Sequence, residues 1–151
     1  VAPEQASGMA HLAQGSFLNI EKQLSARNDA DKFLEYFITL MRQAYQRKIG
    51  LLRKWSVDVA GLGREGSMRF LAYCERMMRE NFITNLRIPG LVYLNQDEET
   101  FSRKFSPFIN ERNVERLLNE FESARLDISA NGNAKIIFFD LAVKVILLLK
   151  Q

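Results

Sequence analysis

Reactive chemistry in this sequence would have to begin at Cys74, at His11 or at the acidic run Asp97-Glu98-Glu99. A cysteine becomes a nucleophile when a neighbouring base, cation or dipole lowers its pKa. Cys74 instead falls on the apolar face of a helical pattern, where a small buried hydrophobe is the ordinary role. His11 is the only histidine; it lies in a short helical pattern without a cysteine or serine context and reads as a surface residue. One histidine and one cysteine also argue against a tetrahedral zinc site. Acid–base catalysis needs carboxylates that converge on a cleft. Consecutive helix positions point apart, so Asp97, Glu98 and Glu99 read as charges facing the positive end of a helix dipole. Gly61, Gly63 and Gly66 follow no strand and precede no Lys-Ser/Thr pair, so they do not form a phosphate loop. The expectation is a chain with no catalytic residue, no metal and no cofactor.

One unbalanced stretch remains. No acid occurs between Glu35 and Asp58, whereas Arg42, Arg47, Lys48, Arg53 and Lys54 all do. Such a patch can neutralise phosphates, with salt-sensitive binding as the consequence, or meet an acidic partner. A solvated surface is the plainer reading, because Gly50 separates two helical patterns and the charges need not share a face.

The elements that carry these residues are helical throughout. With 151 residues, 47% of them hydrophobic and 26% charged, the chain has the composition of a globular protein able to bury a core. Its net charge of +3 and pI of 9.1 permit nucleic-acid contact without demanding it. A lone cysteine fits a reducing cytoplasm, and neither a signal segment nor a membrane span is legible. The opening, without Met and already in a helical pattern, reads as part of a longer protein.

In order, residues 3–26 read as two short helices. Pro3 stands at a first turn, Gly15 closes the first helix and Ser16 caps the second, which carries Phe17, Leu18, Ile20 and Leu24. Ala26-Arg27-Asn28-Asp29 breaks the pattern, and a domain junction is expected there, dividing 1–27 from 28–151. Asp29 or Asp31 then caps a helix to about Lys48, whose apolar positions include Phe33, Phe37, Met41 and Ala44. After a break at Gly50, Leu51, Leu52, Trp55, Val59 and Leu62 line another helix, ended by the glycine cluster 61–66.

Ser67 to Leu86 forms an amphipathic helix burying Phe70, Leu71, Cys74, Met77, Met78 and Phe82. Its solvent face is expected to hold the pairs Glu65/Arg69, Glu75/Arg79 and Arg76/Glu80. Residues 87–96 are a loop around Pro89-Gly90. A helix opens at Asp97, Pro107 separates it from the next, and Asn110 caps that next helix, with Leu117, Phe121, Ala124 and Ile128 on one face. Asn131-Gly132 stops it, with Gly132 expected in the left-handed position.

The final helix, capped by Asn133, is apolar on almost every side except for one line: Asn133, Asp140, Lys144 and Gln151. Such a helix must be enclosed by neighbouring helices or by a partner. The expected fold is therefore an all-α helical bundle. Asp140, Lys144 and Leu148 are the expected interface positions, with the polar line either facing solvent or forming a seam between subunits.

Two segments carry a resemblance. GREGSMRFLAYCERMMRENFITNL, from Gly63, and FSPFINERNVERLLNEFESARLDISANGNAKIIFFDLAVKVILLLK, from Phe105, resemble the C-terminal part of bacterial DNA polymerase III delta-prime clamp-loader subunits, particularly of the Bacteroidetes type. The likeness covers about Asp29 to the end. It is most specific at Phe108–Asn113 and at Asn131–Lys135 with the helix after it. Leu12–Asn19, LAQGSFLN, is similar to the end of the AAA+ lid domain in that family.

The resemblance implies a short lid remnant followed by a helical collar domain. In that family, collars pack into a ring that holds subunits together during sliding-clamp loading in DNA replication. Subunits that bind ATP carry an Arg in a Gly-Ser-x-Arg lid pattern. Leu18 occupies that place here, which implies the non-hydrolysing delta-prime role, while delta stays open. The implied partners are tau/gamma-like and delta-like subunits and, through the complex, primed DNA, with neither a membrane nor a small-molecule substrate. The alternative is a stand-alone helical nucleic-acid-binding domain using residues 42–54; a small enzyme or ligand-binding bundle ranks third.

Overall fold

The computed structural model describes residues 17–86 and 94–150. Among them there is no strand. Six α-helices run in order: α1 (Phe17–Tyr45), α2 (Ile49–Ala60), α3 (Gly63–Leu86), α4 (Gln96–Phe105), α5 (Val114–Ser129) and α6 (Ala134–Leu148). A single 3-10 turn, Ser106–Phe108, joins α4 to the α5 approach. The all-α expectation holds. His11, Gly15, the Ser16 cap and most of the 87–96 loop lie outside the described residues.

The chain divides into two compact units, one ending at Glu35 and the other beginning at Tyr36. In the first, α1 is helical straight through Ala26-Arg27-Asn28-Asp29, so the expected interruption is absent and neither Asp29 nor Asp31 is a cap. Asn and Asp are mediocre helix formers, but each costs no more than about 0.7 kcal/mol relative to Ala. That is too little to stop a helix.

In the second unit, α3 packs along α5, α2 along α6, and α5 along α6. Most of the expected apolar positions are buried: Phe37, Met41 and Ala44 on α1; Leu52, Trp55 and Val59 on α2; Leu117, Phe121, Ala124 and Ile128 on α5. Leu51, expected on the α2 face, is instead exposed, and Leu62 and Phe82 are half-buried. Phe37 is the hub of one aromatic cluster, edge-on to Tyr73, Phe101 and Phe105. Trp55, Phe70 and Phe138 form a second, and the indole N–H of Trp55 donates to the carbonyl of Tyr36 at 3.0 Å. Each large side chain fully buried this way contributes about 1.5–3 kcal/mol.

The helix ends differ from expectation in instructive ways. The break before α2 comes at Arg47, not Gly50. Arg47 holds φ +57° while the Lys48 amide donates back to Gln43, the left-handed closure usually given to glycine. At the end of α5 the left-handed residue is Asn131, φ +65°, and not Gly132. Gly132 is required by space instead: a Cβ there would lie 2.6 Å from Ile137 Cδ1 and 2.8 Å from the Asp127 carbonyl oxygen. The glycine cluster is shorter than its spacing implied, for α3 already begins at Gly63. Asn133 caps α6 as expected, accepting from the Ile136 amide.

Asn110 does not cap α5. Its Oδ1 accepts from the Arg112 and Asn113 amides, while Asn113 Oδ1 accepts from the Asn110 amide at 2.9 Å. The two asparagines thus build the turn reciprocally, and the helix starts one residue after Asn113.

Candidate interaction surface

The direction in which α6 faces decides what it can do. Its inner side buries Phe138, Leu141, Ala142, Val145, Ile146 and Leu148. Its outer side is apolar too: Ile136 is 67% exposed and Leu147 56%, with half-buried Phe139 and Val143 between them at helical spacing. Asp140 and Lys144 border this strip. Lys144 Nζ bonds Asp140 at 2.9 Å and reaches across to Glu120 of α5 at 3.2 Å. Those two hydrogen bonds raise the Lys144 pKa, although at this exposure such pairs contribute little stability.

Of the polar line, Asn133, Asp140 and Lys144 face solvent, and Lys144 also ties α6 to α5; Gln151 lies outside the described residues. Beside the polar line an apolar stripe is left to solvent as well. Leu148, expected at an interface, is buried against its own chain at 9% exposure; the outward leucine is Leu147.

The basic residues Arg42, Arg47, Lys48, Arg53 and Lys54 are all exposed, but the fold distributes them. Arg53 lies over the ring of Phe139, 5.2 Å from its centroid, and so flanks the α6 stripe. Arg42 sits on the other side of the turn, on the rim of a groove formed with α4. Arg47 and Lys48 occupy the turn between.

The groove has a volume of about 340 Å³. Ile38 and Met41 from α1, Phe101 and Phe105 from α4, Phe108 and Leu149 form its apolar lining. Arg42 and Lys104 are among its polar members, with Asp97.

Of the residues first considered for chemistry, Cys74 and Glu98 have structural roles. Cys74 is completely buried, and burial drives its thiol pKa up, away from nucleophile range. Asp97, Glu98 and Glu99 stand in the first turn of α4 as expected, but Glu98 is buried, at 2% exposure. Its carboxylate accepts from the Tyr73 hydroxyl at 2.6 Å, from Arg76 at 2.5 Å and from the Asn95 amide at 3.0 Å. With Asn95 accepting from the Glu98 amide, this is a capping box joined to α3. Burial, then the bond to Glu98, pushes the Tyr73 hydroxyl far above its usual range. Glu75 likewise turns inward from the expected solvent face and bonds Arg125 of α5 at 3.2 Å. Local i,i+4 spacing is outweighed here by partners on facing helices.

Among the described residues, no three His, Cys, Asp or Glu side chains stand close enough together to hold a metal ion. No described helix is long and apolar enough to cross a membrane. What the arrangement offers is surface for association: an apolar stripe edged by charge, and an apolar groove with cations on its rim. Neither was visible in the sequence, since both depend on which helix faces are left uncovered. No family model, curated protein or solved structure matches the chain.

Proposed function

We propose that this chain is a non-catalytic assembly domain of a DNA polymerase III clamp loader, delta-prime-like, packing against the helical domains of tau/gamma-like and delta-like subunits. The observation that carries the reading is the outward face of α6, where Ile136 and Leu147 stand exposed beside half-buried Phe139 and Val143. Ring assemblies join through heterologous contacts with apolar centres and polar rims, and Asp140, Lys144 and Arg53 supply such a rim. The resemblance of Phe108–Asn113 and Asn131–Lys135 to the family supports the same reading, as does the absorption of Cys74 and Glu98 into packing.

The test is coexpression with tau/gamma-like and delta-like subunits followed by size exclusion. The chain is expected to co-elute with them. Replacing both Ile136 and Leu147 by Asp should abolish co-elution while leaving the helical circular dichroism signal and the unfolding midpoint unchanged. Failure of the unaltered chain to join those subunits overturns the proposal.

A second reading, direct nucleic-acid binding, draws on one feature: Arg42, Arg47, Lys48 and Lys54 are exposed and stand in no ion pair among the described residues. It requires the isolated chain to bind primed DNA tightly, with steep salt dependence.

A further inference from the structure

The groove between the end of α1 and α4 is separate from the α6 stripe, and an aromatic series runs through its lining. Phe101 stacks on Phe105 at 5.1 Å between ring centroids, Phe105 meets Phe108 at 6.2 Å, and Phe108 meets Tyr45 at 5.0 Å. The series climbs from buried Phe105, 6% exposed, to Tyr45, 63% exposed on the rim. Ile38 and Met41 complete the floor. An exposed Tyr over an apolar recess, with an adaptable Met beneath it, is the composition found at the centre of recognition surfaces.

The rim carries the second half of the argument. Arg42 comes from α1 and Lys104 from α4, both exposed, so each helix contributes one cation. The only carboxylate among the lining residues is that of Asp97. Neither cation stands in an ion pair among the described residues. An occupant that fills the recess with apolar side chains therefore meets positive charge from both helices.

We propose that this groove binds a short acidic segment of a partner protein, laying large apolar side chains on the Phe101–Phe105–Phe108–Tyr45 series and carboxylates against Arg42 and Lys104. A helix offering apolar residues at i, i+4 and i+7 suits such a recess. Nucleic acid suits it less well. Base stacking needs exposed ring faces, and here only Tyr45 is largely exposed. Two cations beside a carboxylate are also a poor track for a phosphate backbone. The inference does not rest on the clamp-loader reading, since it uses a different face and needs no other subunit.

The experiment is fluorescence anisotropy of the whole chain with a short fluorescein-labelled peptide carrying Leu, Leu and Phe at i, i+4 and i+7 and Asp or Glu elsewhere. A second peptide has Lys in place of every acid. The acidic peptide is expected to saturate the chain and the basic one is not. Arg42→Glu and Lys104→Glu should each weaken the acidic peptide about fivefold, less at high salt, and together reverse the preference between peptides. Tyr45→Ala should weaken it as well. All three side chains are exposed, and an unchanged circular dichroism spectrum verifies the fold of each variant. Four results overturn the proposal: no saturable binding of the acidic peptide, equal binding of both peptides, indifference to the charge reversals, or tighter binding of oligothymidylate lost in the same variants.

Discussion

The side-chain amide of Asn113 donates to the carbonyl of Leu148, 35 positions later in the chain, at 3.2 Å, and to the carbonyl of Phe108 at 2.8 Å. Its oxygen accepts from the Asn110 amide, so the network fixes which way the amide points. One completely buried side chain thus closes the turn before α5 and satisfies a carbonyl at the end of α6, where helices leave carbonyls unpaired. Asn113→Ala strands these groups in the core, and a loss of about 2–3 kcal/mol is expected. Urea unfolding followed by circular dichroism should show a lower midpoint with an unchanged slope. Asn113→Asp should be at least as damaging, because an oxygen would then face two carbonyl oxygens.

Glu98 should behave as a joint between α3 and α4, not as a surface charge. Glu98→Ala removes one acceptor each from the Tyr73 hydroxyl and Arg76 and removes the back-bond of the capping box. Breaking a fully buried ion pair costs about 3–5 kcal/mol. Arg76 retains 39% side-chain exposure and can rehydrate, so about 2–3 kcal/mol is the expectation. Glu98→Gln keeps the shape and should cost less. A double cycle with Tyr73→Phe should reveal a coupling well above zero; additivity would show that the two groups do not interact.

The helical core was legible because it is periodic. Leu117, Phe121, Ala124 and Ile128 declare their face at 3.6-residue spacing, and Asn133 declares a helix start by its type. The directions of Glu98 and Glu75 were not legible. The spacing Asn95-x-x-Glu98 marks Glu98 for a capping box, but its burial comes from Tyr73 and Arg76 on another helix, which nothing nearby in sequence shows. The aspect of α6 was hidden for a related reason. A helix apolar on nearly all sides has no preferred inner face until α2 and α5 cover part of it, so the exposed polar line was legible but the apolar stripe left open beside it was not. Arg47 carries no local signal for a left-handed backbone, and glycine at position 50 drew the break three residues too far along.

Cys74 should make stability fall with alkaline pH. Burial raises its native thiol pKa, whereas the unfolded chain ionises near about pH 8.5. Below that value both states are neutral and the thiol adds no pH dependence. Above it the unfolded state loses a proton that the native state keeps, so unfolding is favoured progressively as pH rises. Tyr73, raised in the same direction, extends the decline above about pH 10. Urea unfolding under reducing conditions from neutral pH upward should show this slope, and Cys74→Ala should remove the portion that begins near about pH 8.5. A thiol reagent at neutral pH should label native Cys74 only at the rate of unfolding.

Gly132 and Gly50 provide opposite tests of the backbone. At Gly132 an added Cβ meets Ile137 Cδ1, which can rotate, and the Asp127 carbonyl oxygen at 2.8 Å, which cannot. That oxygen also accepts the Gly132 amide in the closure of α5 at 2.9 Å. Gly132→Ala must therefore displace the turn that carries the chain into α6, and a loss of about 1–3 kcal/mol is expected. At Gly50, in the first turn of α2, an added Cβ meets nothing within 4 Å, and φ is not in the left-handed region. Gly50→Ala should instead stabilise by about 0.4–1 kcal/mol by restricting the unfolded chain. Thermal unfolding of the two variants beside the parent decides the matter: a midpoint that rises in both would mean that the α5–α6 turn yields more readily than its packing implies.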